Sequence, residues 1–560
     1  VGDYDELHEL FFEVLAIKEC DRSDDIKNKY PKIPYLNSSL FDPLSDIEKK
    51  TFTIESLKDR YEIPLYTNTI LKNAQGKKET KPLKTLDYLF RFLDSFNFAS
   101  DSVGIVQKDN KQIINAAVLG LIFEKINGYQ DGAHFTPSFI TMYMSRESIR
   151  RAVVDKFNAV MGWNCKDFER LKEEIDYKDK DKRIKYNEIV NSLKICDPAV
   201  GSGHFLVSAL NEIISIKHDL RILNYLDNSR IMEYSVYIEN DELIITNDET
   251  DEIFNYKLNQ YGKPIEKLQK LQMALFHEKV TIIENCLFGV DINPKSVMIC
   301  QLRLWIELLK NAYYKEPDYT ELETLPNIDI NIKCGNSLIS RFDLNDNSSK
   351  SIADAKIIPL YKEAVAKYKN VKNSKSKNKI KNEIENYKIQ LKGLMLSRTA
   401  KEQQLIDFRE KLKELTTQGE IFEAHKSKAA EKEYVKKVDF LTNQINNLEK
   451  EIEDLKSNPI YKNAIEWRYE FPEVLDDEGN FIGFDVVIGN LPYFSISTLN
   501  ENIKKVFETL NYFTFLKTTD IYTLFIEKAY KILNNSGLFA LIVSNKWMRA
   551  GYGELIRDFL

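Results

Sequence analysis

The chain has 560 residues, 43% of them hydrophobic and 29% charged, and its formal net charge is −7 at pH 7. This length exceeds what a single hydrophobic core supports, so we expect about three or four structural units. No apolar run approaches the roughly 20 residues that span a bilayer, which argues against a membrane protein. The negative charge argues against a surface built throughout to bind phosphates, so if a nucleic acid is the substrate, the main contact is a local patch or a part missing from this chain.

The cysteines and histidines predict no metal site. The six cysteines are scattered without a C-x-x-C pair, and none of the six histidines stands at metal-ligand spacing from a cysteine or another histidine. We therefore expect buried free thiols, as in a protein of the reducing cytoplasm.

Residues 1–110 are predicted to form a helical N-terminal region, because apolar residues recur at helical spacing between residues 4 and 16. A Glu-to-Lys element at residues 13–18 superficially resembles part of a nuclease motif. It lies on the helical pattern with no preceding Pro-Asp, so we expect no nuclease site there.

Residues 111–342 are predicted to form the first part of an α/β core. The predicted strands and strand–helix units lie at residues 193–196, 286–309 and 328–334. Residues 221–280 are predicted to be an insertion, in which two β-prone runs at 234–238 and 243–245 form a hairpin.

Residues 343–460 are predicted to be a coiled-coil helical insertion. Apolar residues alternate spacings of four and three at positions 380–394 and 434–455, which is the heptad pattern of packed helices. Residues 351–400 hold 12 Lys or Arg against 4 Asp or Glu. This excess suits either a solvated helical face or a contact surface for nucleic acid.

Residues 461–560 are predicted to be the second part of the core. They contain a predicted strand at 484–489 that ends before Asn490, a helix at 521–533 and a strand at 538–543. Strands that alternate with helices predict a mostly parallel, doubly wound sheet.

The strongest motif is residues 197–203, Asp-Pro-Ala-Val-Gly-Ser-Gly, between a strand and a helix. Gly201 and Gly203 permit backbone conformations and a close ligand approach that a β-carbon obstructs. Asp197 at the strand tip suits a cationic ammonium group, such as that of S-adenosylmethionine. A dinucleotide site would have a third glycine at position 206, where this chain has Leu206.

Two further strand ends carry candidate ligand residues. Asp291 ends the second strand, where a carboxylate can accept hydrogen bonds from ribose hydroxyls, although an Asp there also suits a helix cap. Asn336 follows the third strand, and its amide could contact the adenine of the cofactor.

Residues 490–493, Asn-Leu-Pro-Tyr, end the fourth strand. The Asn490 side chain and the Leu491 carbonyl can accept hydrogen bonds from an exocyclic base amine, which localises its lone pair for methyl transfer. Pro492 restricts the backbone, and Tyr493 offers a face on which an extruded base can stack. The chain has no Pro-Cys dipeptide, which counts against covalent carbon-5 cytosine methylation.

These motifs resemble the gamma class of N6-adenine DNA methyltransferases, and more closely the type IIG restriction–modification enzymes with a Taq-like methylase domain and related phage-defence methylases. The resemblance covers roughly residues 112–216, 282–342 and 465–560. It includes residues 134–137, His-Phe-Thr-Pro, in the place of the family's Phe-Tyr-Thr-Pro. Leu491 stands where the DNA enzymes usually have Pro.

The resemblance implies a Rossmann-like S-adenosylmethionine-dependent methyltransferase sheet with no metal. It assigns cofactor binding to Phe135, Thr136, Pro137, Asp197, Ala199, Gly201, Gly203, Asp291, Ile292 and Asn336. It assigns catalysis to Asn490, Leu491, Pro492 and Tyr493.

The predicted function is base-flipping methylation of adenine N6 in double-stranded DNA, within a restriction–modification or phage-defence system. Other planar amines remain alternatives, namely cytosine N4, an RNA adenine or a protein glutamine amide, and so does a non-catalytic cofactor-sensing module. Since the chain starts at Val1 and stops within a helical pattern, we expect a fragment that lacks a C-terminal target-recognition domain. An N-terminal nuclease in the full-length protein is also an open possibility.

Overall fold

The computed structural model describes residues 4–31, 33, 35–36, 62–73, 75–97, 112–113, 136–317, 319, 321–341, 344, 352–371, 374–396, 400–421, 428–457, 461 and 463–560.

The N-terminal region consists of short elements. They are α1 (Tyr4–Glu9), a π-helix (Leu10–Leu15), a 3-10 turn (Glu19–Asp21), α2 (Asp24–Lys29), β1 (Glu62–Ile63), β2 (Leu83–Lys84), α3 (Thr85–Asp94), β3 (Phe96–Asn97) and β4 (Gln112–Ile113). β1 pairs with β2 antiparallel, and β3 with β4 parallel. The helix predicted at residues 4–16 is present as α1 and the π-helix.

The first part of the core alternates helices and strands as predicted. Its elements are α4 (Ser138–Met161), α5 (Phe168–Glu174), α6 (Lys180–Asn191), β5 (Ile195–Asp197), α7 (His204–Asp219), β6 (Tyr234–Glu239), β7 (Glu242–Asn247), α8 (Glu266–Cys286), β8 (Leu287–Asp291), α9 (Pro294–Leu309), a 3-10 turn (Ile328–Ile330) and β9 (Ile332–Cys334). β6 and β7 form the predicted antiparallel hairpin.

Four long helices follow, and they form two hairpins rather than one coiled coil. They are α10 (Ile352–Asn370), α11 (Ser374–Leu396), α12 (Ala400–Ile421) and α13 (Lys428–Ser457). α10 packs with α11, and α12 packs with α13. The two predicted heptad runs therefore lie in different hairpins: Ile384 belongs to a hydrophobic cluster that includes Tyr361 of α10, and Ile445 belongs to a separate cluster that includes Leu405 of α12.

The second part of the core completes the sheet. Its elements are α14 (Trp467–Glu470), a 3-10 turn (Pro472–Val474), β10 (Phe484–Asn490), a 3-10 turn (Ile496–Thr498), α15 (Glu501–Thr509), α16 (Ile521–Ile532), β11 (Leu533–Ile542), two 3-10 turns (Asn545–Met548 and Gly551–Gly553) and α17 (Glu554–Phe559).

The central sheet has five parallel strands in the order β11-β10-β5-β8-β9. Alternate residues of β10 face different clusters: Val486 packs into one and Val487 into the other. Both faces of the sheet are thus covered, as expected for a parallel sheet. From β5 the chain adds strands on one side, β8 and then β9, and later on the other side, β10 and then β11. Ligands of doubly wound folds bind at the carboxyl ends of the strands where the strand order reverses in this way.

Several predicted boundaries are wrong by a few residues. The strand placed at 193–196 is β5, which begins at Ile195, because the Leu193 amide is still bonded to the Val190 carbonyl in the turn after α6. The strand placed at 328–334 begins as a 3-10 turn, and the strand placed at 538–543 is the longer β11.

Candidate functional site

The glycine-rich turn leaves β5 at Asp197 and enters α7 at His204. The Asp197 Oδ1 atom accepts the Ala199 amide at 2.9 Å, which tightens the start of the turn. Gly201 and Gly203 have φ angles of +54° and +81°, in the left-handed region that favours glycine. A β-carbon on Gly203 would lie 2.7 Å from the Cys300 Sγ atom, so glycine lets the turn pack on α9.

Asp197 is a buried acid that faces a second acid. Its side chain is 1% exposed, and this burial, together with the negative charge of Asp291, holds the pKa of its carboxyl well above the usual range. A bound cation would offset both the cost of burying the Asp197 charge and its repulsion by Asp291. The carboxyl groups at this strand end therefore fit a ligand that carries positive charge.

Asp291 ties the first two strand ends together. Its Oδ2 atom accepts the Gly201 amide at 2.9 Å, and its Oδ1 atom accepts the Asn293 amide at 2.8 Å. The carboxylate is thereby fixed beside the glycine-rich turn. Ile292 beside it is 58% exposed and lies on the cavity wall.

Asn336 is held by the segment that precedes α14. Its backbone amide donates to the Asn463 carbonyl at 2.6 Å, and its side-chain oxygen accepts the Leu338 amide at 3.0 Å. Ser337 donates to the Pro198 carbonyl at 2.6 Å, which links the third strand end to the glycine-rich turn.

Two hydrogen bonds orient the side chain of Asn490. Its Nδ2 atom donates to the Thr136 hydroxyl at 3.0 Å, and its Oδ1 atom accepts the Tyr493 hydroxyl at 2.6 Å. Leu491 is 1% exposed and packs into the core, so its side chain does not face the cavity. Burial raises the pKa of Tyr493 to about 12.

One cavity of about 240 Å³ joins the glycine-rich turn to Asn490. Of the predicted site residues, Thr136, Asp197, Ala199, Gly201, Asp291, Ile292, Asn336, Asn490 and Pro492 line it. Gly203, Leu491 and Tyr493 are not among the lining residues. Pro137 caps α4, and Phe135 lies outside the described residues.

The apolar side of this cavity was not predicted from the sequence. Its residues are Phe494, Leu499, Ile503, Phe507, Ile521 and Phe525. Two features of the sequence could have predicted it: Phe494 directly follows residues 490–493, and the apolar residues at 503 and 507 lie one helical turn apart on α15. An apolar, aromatic wall next to a polar strand end suits a planar ring with a polar edge.

Three tyrosines form a network that supports residues 490–493. The rings of Tyr493 and Tyr522 lie 6.3 Å apart, the Tyr522 and Tyr552 hydroxyls are 3.1 Å apart, and the Tyr552 hydroxyl donates to Asp520 at 2.9 Å. The segment after residues 490–493 is also hydrogen-bonded to the start of α16, where the Ile521 amide donates to the Phe494 carbonyl. The C-terminal segment thus contacts residues that hold the cavity.

In the part of the chain that the structure describes, no three His, Cys, Asp or Glu side chains cluster as metal ligands. No helix in the described ranges is long and apolar enough to cross a membrane.

Three family models match this chain. Residues 285–560 match the Eco57I restriction-modification methylase model, and residues 172–388 match the MmeI DNA-methyltransferase domain. Residues 1–114 match a domain of unknown function.

Curated relatives carry related names. A putative type II restriction enzyme and methyltransferase of Methanocaldococcus jannaschii is 26% identical over 97% of this chain and 41% of its own length. The type II restriction enzyme and methyltransferase RM.Eco57I of Escherichia coli is 32% identical over 14% of this chain and 8% of its own length. This chain therefore spans less than half the length of the Methanocaldococcus jannaschii relative.

Among solved structures, the type IIL restriction-modification enzyme MmeI in complex with DNA aligns with 99% of this chain and 44% of its own chain. The TM-score is 0.41 and the sequence identity is 11%.

Proposed function

We propose that this chain, which belongs to the methylases of restriction–modification systems, transfers a methyl group from S-adenosylmethionine to the N6 amine of adenine in double-stranded DNA. The observation that carries the proposal is the single cavity that joins the buried Asp197 carboxyl to the Asn490 amide. Such a cavity can hold a cationic methyl donor at one end and a planar amine at the other.

The cofactor end fits S-adenosylmethionine through its charge and hydrogen-bonding groups. Asp197 would pair with the ammonium of the methionine part, and Asp291 would accept the ribose hydroxyls. Asn336 and the exposed side chain of Ile292 would flank the adenine. When bound, the cofactor supplies an electrophilic methyl group on a positively charged sulfur.

The base end fits an amine that offers two hydrogens. The Asn490 Oδ1 atom would accept one of them, after it releases the Tyr493 hydroxyl, and the Leu491 carbonyl would accept the other. These two bonds localise the lone pair of the amine toward the methyl donor. The step gains its rate from positioning and hydrogen bonding by this chain's own residues.

Extrusion of the base from the duplex follows from the position of Asn490 inside a cavity. A base inside a stacked duplex cannot reach it, so the target nucleotide would swing out and enter beside Tyr493. The apolar wall at Phe494 and Phe507 would cover the ring of the base.

The test is methyl transfer by the 560-residue chain to duplex DNA, single-stranded RNA and a glutamine peptide. We expect label in N6-methyladenine of duplex DNA and none after Asn490→Ala. Transfer to the peptide or the RNA alone would overturn the choice of substrate. Cofactor binding without transfer to any substrate would favour a sensing module.

A further inference from the structure

The β11 loop, residues 544–553, follows β11 at the sheet edge that carries the base site. β10 and β11 are paired in parallel with Asn490 opposite Ile542, and the Leu491 amide donates to the Ile542 carbonyl at 3.3 Å. The carboxyl ends of the two strands are therefore neighbours. The β11 loop starts one strand away from the residues that are proposed to hold the base.

Aromatic side chains anchor the β11 loop against the support of the base site. Trp547 packs against the same hydrophobic cluster as Tyr493 and Phe494. The Tyr552 hydroxyl lies 3.1 Å from the Tyr522 hydroxyl, and the Tyr522 ring lies 6.3 Å from the ring of Tyr493. The loop thus lies on the side of Tyr493, where the target base is proposed to enter.

Backbone hydrogen bonds fix the shape of the β11 loop. The Arg549 amide donates to the Lys546 carbonyl at 3.1 Å, and the Lys546 amide donates to the Ser544 hydroxyl at 3.3 Å. The Arg557 guanidinium, on α17, donates to the Trp547 carbonyl at 2.6 Å. The backbone at residues 546 and 549 is therefore held in place before any ligand binds.

The β11 loop carries two positive charges, on Lys546 and Arg549, and no negative charge. Both side chains are exposed. Among the residues that the structure describes, neither side chain is paired with a carboxylate. In a chain whose net charge is −7, two such cations on a fixed loop form a local surface that attracts an anion.

The phosphates of an extruded nucleotide fit this surface. Only the base of such a nucleotide enters the protein, so its sugar and phosphates stay outside the cavity, beside the entrance. Arg and Lys are frequent partners of DNA phosphates, and these contacts position the duplex without reading its sequence. The β11 loop offers both side chains on the entrance side of Tyr493.

We infer that Lys546 and Arg549 bind phosphates of the DNA strand that carries the extruded base, so that the β11 loop is a backbone contact for the substrate. This inference rests on the proposed methylation of duplex DNA. It gives a chain of negative net charge a local patch for an anionic substrate.

The test is the salt dependence of duplex DNA binding by the 560-residue chain, measured by fluorescence anisotropy from about 50 to about 200 mM salt. Each phosphate contact contributes about 0.9 to the slope of log binding constant against log salt concentration. The slope should therefore become shallower by about one in Lys546→Gln and in Arg549→Gln, and by about two in the double variant. At the lowest salt, each single variant should bind about threefold to tenfold more weakly.

Lys166→Gln is the matched control. Lys166 is also exposed, but it lies beyond the far end of α4, whose 24 residues extend about 36 Å from their start beside Thr136. This variant should keep the parental salt slope. All variants should keep the parental unfolding temperature and affinity for S-adenosylmethionine, because the replaced side chains are exposed.

Two duplexes of unrelated sequence separate a backbone contact from base recognition. Each variant should lose affinity for both duplexes by the same factor, because phosphates carry no sequence information. A parental salt slope in both single variants, or a loss confined to one duplex, overturns the inference. A parent chain that neither binds nor methylates duplex DNA contradicts the proposed function itself, and the inference falls with it.

Discussion

The side-chain amide of Asn490 donates a hydrogen bond to the Thr136 hydroxyl at 3.0 Å, across 354 residues of sequence. The resemblance assigned Thr136 to the cofactor and Asn490 to the base. Their contact means that the segment before α4 and the end of β10 form one unit. Since the Tyr493 hydroxyl donates to the other end of the amide, the Asn490 oxygen has a fixed direction before any base enters.

Thr136→Val should lower the rate of methyl transfer while cofactor affinity stays near that of the parent. The valine has a similar shape but leaves the Asn490 Nδ2 atom without this acceptor, at a cost of about 1–3 kcal/mol, or about fivefold to 150-fold in rate. Single-turnover methylation of duplex DNA measures the effect. Thr136→Ser keeps the hydroxyl and should retain most of the rate. Equal rates for the two variants would show that Thr136 does not orient the amide.

Tyr493→Phe and Tyr493→Ala should differ sharply. The hydroxyl of Tyr493 occupies the oxygen that the base amine is proposed to use, so its loss in Tyr493→Phe should change the rate by no more than about threefold. Tyr493→Ala also removes the stacking face and should cost about tenfold or more. The comparison is made in the transfer assay at saturating cofactor. A large defect in Tyr493→Phe would assign the hydroxyl a direct role.

Gly489→Ala should disrupt cofactor binding from the neighbouring strand. A β-carbon at Gly489 would lie 2.6 Å from the Asp197 Oδ1 atom, so the buried carboxyl must move. We expect the dissociation constant for S-adenosylmethionine to rise about tenfold or more, since the charged partner is displaced. Gly551→Ala, where a β-carbon meets nothing within 4 Å, is the control. Normal affinity in Gly489→Ala would remove Asp197 from the proposed site.

Cofactor affinity should rise with pH, and binding should release a proton. Burial and the charge of Asp291 raise the pKa of Asp197 in the ligand-free chain, so the carboxyl favours its neutral form. A cationic ligand favours the ionised form and lowers the pKa, so the proton leaves on binding. Calorimetry in buffers of different ionisation enthalpy measures this release. It should disappear in Asp197→Asn, and a release that persists would point to another group.

Glu470→Gln should loosen the α10–α11 hairpin from the core. The Glu470 carboxylate bonds the Nζ atoms of Lys388 and Lys392 at 2.6 and 3.2 Å. Burial alone would raise the pKa of Glu470, but these lysines lower it to about 2. Its stabilising contribution is therefore complete above pH 4.5 and is lost as the pH falls toward 2.

Glu470→Gln leaves the buried ammonium of Lys388 without the Glu470 carboxylate that balances its charge. We therefore expect the free energy of unfolding to fall by about 3–5 kcal/mol. Denaturant unfolding at pH 7 measures it. Glu363→Gln, which breaks the exposed pair with Lys367, should cause no measurable change. Similar values for both variants would show that Glu470 does not anchor the hairpin.

The basic composition of residues 351–400 acquires a partial structural explanation from the same contacts. Lys362, Lys369, Lys388 and Lys392 bond acids of residues 470–477. These lysines join a helical hairpin to the core, which neither of the two sequence interpretations had included. Composition counts charges but does not show which acids face them after the chain folds.

The sequence by itself determined the type of fold and the main strand ends. Alternating strands and helices, two glycines after Asp197, and Asn490 at the end of an apolar strand are local patterns, and local patterns follow from backbone and burial preferences of neighbouring residues. The tertiary structure decided what those residues touch. The contact of Asn490 with Thr136 and the apolar wall at Phe494 and Phe507 join segments far apart in sequence. Such contacts depend on how helices pack on the sheet. The spacing of apolar and polar residues along the sequence shows which face of an element is buried, but it does not show which other element covers that face.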